Sequence, residues 1–507
     1  MGGTVLTERR AALRVWSAFA LLMLLVAAPV FSTTVPPLFD YPNHLARMHL
    51  LSEGGNQFYE VRWEPLPNLA QDLIVPPLAR LVPLDVASKL FLVATLGLIA
   101  GATLWLNRVV TGMWRLWPLL AFTLLYNRVF LWGFLNYLFG IGVALFGAAL
   151  WVALERKQWW LRAFTSTLVA LACYFSHVAA FGFYALVILG LELQAARLEL
   201  RARCWPALGS RMVIAGVQFV APAALIAGYW DKRAGAGVSY PAIWRKADLL
   251  FSVFDNYNRV FDIVCFASFL ALLAWLAAAR RLRLSPRLAW AVGAVAVVYL
   301  ILPSQLYGGS GVDHRLPIAL CLLVIGATAP EFPNRRIAAA IGVLTVVVLL
   351  ARLAFIEHVW VEAGRVYSAD LAGIDLLPRG ARLAVAHPAS AVNFVPIPEV
   401  HLPVLAVARR EAFVPTLFAY KGQQPVALRA PYAALADAAT PEALWDFLWR
   451  DDTAENAGLG RILQQYDFLV AIGNEPQRRV LSGCFQRIFT RPNFEILAVL
   501  HNSACDL

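Results

Sequence analysis

Charge is scarce in this chain. Asp, Glu, Lys and Arg together make up 15% of its 507 residues, against 60% hydrophobic, where a soluble domain usually carries about 25% charged residues. That excludes an ordinary soluble globular protein and points to a polytopic membrane protein with some soluble mass. Cysteine is also sparse, at six residues, and no Cys/His spacing resembles a zinc site. Cys173, Cys265 and Cys321 fall in apolar stretches, where a thiol acts as a small buried side chain. Cys204 lies in a basic loop, while Cys484 and Cys505 are placed to pair if the C-terminal region faces an oxidising compartment. No phosphate-cradling glycine loop follows any candidate strand; the nearest segment, Gly473-Asn474-Glu475-Pro476, has a single glycine. There is no internal repeat.

The net charge of +11 divides unevenly. Residues 356–507 hold 13 Lys/Arg and 16 Asp/Glu, net −3, which leaves +14 on the rest. Such an excess suits the cytoplasmic loops of a membrane protein better than a nucleic-acid surface, and no nucleic-acid partner is expected. The N-terminus, Glu8-Arg9-Arg10-Ala11-Ala12-Leu13-Arg14 before an apolar run to about Phe31, resembles a signal sequence, and the later spans favour an uncleaved anchor.

Eleven apolar segments read as spans: 15–32, 86–106, 116–127, 133–154, 163–176, 178–196, 212–230, 260–279, 288–303, 316–330 and 337–355. A spanning helix needs about 20 residues, so the third and fifth are short. With the N-terminus inside, the inner segments hold 18 Lys/Arg in 60 residues and the main outer loops 10 in 101. The positive-inside rule therefore predicts N-terminus in and C-terminus out. All eight histidines and most loop acids then lie outside. The predicted fold is a polytopic α-helical membrane protein of about eleven helices, residues 1–355 including a long outer loop 33–85, followed by a soluble α/β domain 356–507 in the periplasm or its equivalent. In that domain, strand candidates at 382–386, 413–418, 468–472 and 494–500 alternate with helical stretches, which predicts a small, mostly parallel sheet.

The outer segments carry the chemistry. Asp40, His44 and Arg47, spaced four and three apart, share one helix face just after the first span. A plain alternative is that Asp40 caps a helix entered through Pro42, with His44 and Arg47 solvated. A second candidate helix carries Asn68, Gln71 and Asp72 and breaks at Pro76-Pro77. The two helices suit a loop lying on the bilayer and offering Asp40 and Asp72 to a headgroup; a lid without catalytic groups is the other reading. Tyr126-Asn127-Arg128 and Asn136 sit at outer span ends, where Arg128 must meet an anion, reach a water-filled cavity or snorkel. Ser176-His177 occupies a hairpin, and a packing histidine is the simpler reading there. Asp255 to Asp262 reads as a solvated helix start. Gly308-Gly309-Ser310-Gly311 precedes Asp313-His314-Arg315, which offers acid, base and cation, or an N-cap ahead of Pro317.

With its first span, long outer loop, many further spans and outer C-terminal domain, and with Asp40 soon after the first span, the chain resembles the GT-C glycosyltransferases. These multi-span enzymes take sugars from polyprenyl-phosphate donors. In that family the loop acid is the usual catalytic base or a metal-associated residue, which implies that role for Asp40. Where the family often shows paired acids, this chain has Asp40-Tyr41-Pro42, with Asp72 as a further carboxylate. The resemblance implies transfer of a sugar from a lipid-linked donor to a glycan, lipid or protein acceptor at the outer face of a bacterial-type plasma membrane. A divalent metal, Mg or Mn, is an open requirement. Asp40 is expected as base, assisted by His44 or Asp72, with Arg47, Arg128, His177, Asp313, His314 and Arg315 on the substrate and lipid-phosphate side. The competing class is a transporter or assembly factor for envelope polysaccharide, with the outer polar groups as a vestibule. No spacing supports an acyl or phosphoryl transferase built on His177 or His314.

Overall fold

The computed structural model describes residues 2–203, 205–230, 237–306, 311–389, 399–448, 454–473 and 484–501. Gly308-Gly309-Ser310, Asn474 to Pro476, Cys204 and Cys505 lie outside the described residues. By their internal contacts the residues form two compact units. One gathers 1–30, 65–71 and 90–357; the other gathers 31–64, 72–89 and 358–507. The long outer loop, which the sequence groups with the spans, is thus mostly part of the same unit as the C-terminal region.

In the first unit, the helical one, apolar runs become helices as their length dictates. Among the described residues, six helices are long and apolar enough to cross a membrane: Glu8–Phe31, Leu84–Thr111, Leu135–Ala153, Val178–Arg201, Arg259–Ala278 and Arg335–Ile374. Leu208–Val217 and Val220–Gly228, bent by 43° at their junction, form a seventh candidate. The other segments read as spans are shorter or irregular. Residues 117–124 form a 3-10 helix. Val312–Ala327, which contains Pro317, has 16 residues, a length of about 24 Å against a hydrocarbon core of about 30 Å. Arg335–Ile374 is the opposite case. Its 40 residues run on without a break through the 355/356 boundary drawn from the sequence.

Small residues set the helix spacing in this unit. A Cβ on Gly190 would lie 2.3 Å from the Ala291 backbone, so helix Val178–Arg201 approaches Ala289–Ile301 this closely only with glycine there. Charge inside the unit is matched. Asp262, read from the sequence as part of a solvated helix start, is fully buried. It accepts from Arg352 Nη1 at 2.5 Å and from the Asn256 backbone N–H at 2.8 Å. At the opposite ends of the helices, Glu192 accepts from Trp151 Nε1 at 2.8 Å and Arg211 Nε at 2.5 Å, while Arg162 stacks 3.5 Å above the Trp151 ring. Arg211 and Arg287 each reach Glu155 at 3.1 Å. The segments 155–162, 197–211 and 280–287, read from the sequence as bare topological anchors, therefore hold an ionic network that ties helices together.

The second unit joins first loop to C-terminal region. Helix Tyr41–Glu53 starts at Asp40 with Pro42 in its first turn and stops at Gly54, whose φ of 82° is the left-handed C-terminal geometry glycine favours. It is no surface helix: Tyr41, Asn43, Ala46, Arg47 and Met48 are all fully buried. Strand Tyr59–Val61 pairs antiparallel with Val426–Leu428. The Tyr59 hydroxyl donates to Val414 O at 2.8 Å and accepts from Val414 N at 2.9 Å. His49 and Asn56 both reach the Glu411 carboxylate, at 3.2 and 3.4 Å.

A four-stranded sheet lies behind, in the order Leu383–Ala386, Phe468–Ile472, Phe494–Val499, Phe485–Arg491. Only its first two strands run parallel. This corrects the expectation of a mostly parallel sheet. The short turn after Arg491 joins Phe485–Arg491 and Phe494–Val499 as a hairpin, which forces them antiparallel. Residues 413–418 do not form a strand. Phe413 makes a single bridge to Arg382, and Pro415 removes the donor that a ladder would need. A Cβ on Gly373 would meet the Phe489 ring at 2.5 Å, which fixes how the end of Arg335–Ile374 lies on the hairpin.

The charge at the heart of this unit is Arg47. Its Nε donates to Asp72 Oδ1 at 2.7 Å and its Nη2 to Oδ2 at 3.3 Å, with both side chains at 0% exposure. Removing one member of such a pair leaves a buried charge and costs about 3–5 kcal/mol, whereas replacing both by apolar groups is often close to neutral. Arg47→Met should therefore lower the thermal midpoint of the purified protein sharply, and Arg47→Met/Asp72→Leu should recover most of the loss. Equal losses in single and double variants would contradict a buried ion pair.

Candidate active site

Asp40 occupies the N-cap position of Tyr41–Glu53, yet its side chain makes no capping hydrogen bond. A capping aspartate accepts from the N–H of the second or third helical residue; here the carboxylate is turned instead toward the C-terminal region. Its Oδ1 lies 3.7 Å from His401 Nε2, with side-chain exposures of 14% for Asp40 and 16% for His401. That separation is beyond a hydrogen bond, and pairs of this kind commonly tighten when substrate binds. His401 is held by rings on two sides, Phe39 at 4.6 Å and Phe418 at 5.4 Å between centroids. The adjoining Phe418 N–H is fixed by Asn43 Oδ1 at 3.0 Å.

Burial, reinforced by the nearby His387, pushes the His401 imidazole down to about 4. It is therefore a neutral ring at physiological pH. A carboxylate is one of the group types that can activate a hydroxyl.

The other carboxylate expected in the site is committed elsewhere. Asp72 is closed on Arg47, and Arg47 Nη2 also lies 3.3 Å from His44 Nδ1. His44 and Arg47 are buried at 7% and 0% exposure, which overturns the alternative that leaves them solvated. Asp72, Arg47 and His44 thus form a chain that fixes helix Tyr41–Glu53 just beyond Asp40.

The remaining candidates belong to the helical unit. Arg128 pairs with Asp255 and stacks 5.9 Å from the Trp132 ring. His177 caps helix Val178–Arg201, its Nδ1 accepting from Ala179 N at 3.0 Å, and packs against Tyr137 at 5.5 Å; this is the packing histidine of the simpler reading. Asp313 is fully buried and accepts from Lys246 Nζ at 3.0 Å. His314 leans on Trp132 at 4.9 Å. Arg315 donates to Gly311 O at 2.9 Å and lies 4.5 Å over the Phe134 ring. Asn136 clamps the loop segment 65–71, accepting from Gln71 N and donating to Asn68 O, both at 2.7 Å.

The contacts therefore bring together Asp40 with His401, and Arg47 with Asp72 and His44. They assign Arg128 and Asp313 to partners, Asp255 and Lys246, that were not among the candidates. His401 and Glu411 were missed as well. Their only sequence signal was membership of the outer histidines and acids, because each meets its partner across more than 350 residues. Among the described residues, no three His, Cys, Asp or Glu side chains converge as a metal site would require.

No family model and no curated protein matches this chain.

One titration separates His401 from its surroundings. Its folded pKa of about 4 lies below the ordinary 6.5, so the folded state resists protonation. The stability this contributes is present above pH 6.5 and is lost as pH falls toward 4. Glu399 acts with opposite sign: burial, then Asp370, raise its carboxyl to about 7 against the pull of Arg491, so its contribution is present in acid and fades as pH rises to 7. The informative quantity is the difference between proteins. Melting midpoints of wild type should fall more steeply between pH 6.5 and 4.5 than those of His401→Gln; parallel curves would remove His401 from this role.

Proposed function

We propose that this chain is a membrane glycosyltransferase, which moves a sugar from a polyprenyl-phosphate donor to an envelope acceptor at the outer face of a bacterial-type plasma membrane. The observation that carries the reading is Asp40. It follows the first apolar helix, stands at a helix N-cap without capping, and faces a neutral histidine from the C-terminal region.

In the reaction, Asp40 takes the proton of the acceptor hydroxyl as its oxygen bonds to the anomeric carbon. The bond from that carbon to the phosphate oxygen breaks, and its electron pair leaves with the polyprenyl phosphate. Attack opposite the leaving group inverts the anomeric centre. Departure of the phosphate needs positive charge; of the cations expected to supply it, Arg128 is matched by Asp255 and Arg315 donates to Gly311 O at 2.9 Å. His401 orients Asp40.

Asp40→Asn should abolish transfer from a lipid-linked sugar in membranes at unchanged protein level. His401→Asn should reduce kcat by about 10- to 100-fold, the range for loss of a group that supports a base. Normal turnover by Asp40→Asn would end the assignment.

Eleven spans with the N-terminus inside and the C-terminus outside remain part of the proposal. The density of Lys and Arg supports the orientation, and so does Cys484, which is disulfide-bonded, the state an oxidising compartment maintains. A cysteine at exposed Leu376 should react with an impermeant maleimide in intact cells, and one at exposed Arg156 only after permeabilisation. The reverse pattern would invert the topology.

One observation favours the transporter reading: helices Leu208–Val217 and Val220–Gly228 meet at 43°, and broken helices line transport sites. Movement of an unmodified lipid-linked glycan across vesicles without any sugar transfer would decide for it.

A further inference from the structure

The rings beside Asp40 continue beyond His401. Phe39 meets His401 at 4.6 Å, His401 meets Phe418 at 5.4 Å, and Phe418 meets Tyr420 at 6.3 Å with planes only 26° apart. The row begins next to the carboxylate and ends on Tyr420, which is 56% exposed. Large exposed aromatic rings are costly in water and mark places where an apolar face is to be covered.

The row also has a polar side with bonding capacity unused. Asn43 Nδ2, His401 Nδ1 and Thr416 Oγ1 are buried and find no hydrogen-bond partner among the described residues. Asn43 is itself at 0% exposure and is fixed by its other amide atom to Phe418 N. Buried polar groups are nearly always paired, and each orphan costs about 1–3 kcal/mol. Asn43 and His401 touch the row and Thr416 stands two residues before Phe418; a ligand with both hydroxyls and an apolar face would answer all three.

We propose that the row Phe39, His401, Phe418 and Tyr420 is a carbohydrate subsite that holds the acceptor, so that the acceptor is a glycan rather than a lipid or a peptide. The inference rests on the glycosyltransferase reading for the word acceptor: the molecule lying against the base is the one whose hydroxyl loses a proton. A pyranose supplies what the row lacks. One face of its ring presents C–H groups, which lie against the electron-rich faces of aromatic rings, and its rim carries hydroxyls that both donate and accept. An acyl chain would leave the three orphan atoms unpaired. A peptide would seek a strand edge for its backbone.

The test is saturation-transfer NMR on the full chain in nanodiscs, with methyl α-D-mannopyranoside, methyl β-D-glucopyranoside and a Ser/Thr hexapeptide as probes. Saturation should pass to the ring protons of at least one glycoside. The transfer should fall at least about fivefold in Tyr420→Ala, the loss of one ring contact, and persist in Tyr420→Phe. Tyr420 is on the surface, so neither change threatens folding. Equal transfer in wild type and Tyr420→Ala, or transfer to the hexapeptide alone, overturns the subsite. The outcome is separable from that of the enzyme reading. Asp40→Asn should keep glycoside binding while losing sugar transfer; a chain that binds glycosides through Tyr420 but never transfers sugar retains the subsite and loses the enzyme.

Discussion

A single guanidinium organises the first loop. Arg47 lies wholly out of water and closes on Asp72, which brings helix Tyr41–Glu53 up against the start of the next loop helix. Neither charge is affordable alone, because desolvating an unpaired ion costs several kcal/mol; each therefore dictates where the other must be. Once the helix is fixed along that face, its other polar positions have no choice of partner. Asn43 takes Phe418 N, His49 takes Glu411, and Asp40 at the N-terminus faces His401. The loop and the C-terminal region are joined by these contacts and by the strand pair Tyr59–Val61 with Val426–Leu428.

The helical unit applies the same rule with higher stakes. In hydrocarbon an unmatched charge is expensive, and its buried ions come in matched sets: Asp262 with Arg352, Asp313 with Lys246, Glu192 with Arg162 and Arg211. Such sets hold helices in register but offer little net charge to a ligand. Asp40, by contrast, lies 3.7 Å from the His401 ring, which burial keeps neutral.

Parts of this were legible in the sequence for identifiable reasons. Leu383–Ala386, Phe468–Ile472 and Phe494–Val499 are strands where short apolar β-formers stand between turn residues. Phe485–Arg491 was not legible: it reads Phe-Gln-Arg-Ile-Phe-Thr-Arg, an edge strand largely exposed along its length, with no apolar run to mark it. The opposite error arose at 413–418, where an apolar run contains Pro415 and cannot extend a ladder. Asp40 could be singled out because it follows the first apolar helix at close range, whereas His401 carried no local mark.

Hydropathy is local and adds up along the chain, so the sequence by itself marked the apolar helices long enough to cross a membrane, though not their number, and the nearness of Asp40 to the first of them. Partner choice is neither local nor additive. Whether Arg47 would meet water or Asp72, whether Arg128 would meet a ligand or Asp255, and whether Asp40 would cap its helix or face His401 were decided only by tertiary packing. Packing alone brings residues hundreds of positions apart within hydrogen-bond range and removes the water that would otherwise satisfy them.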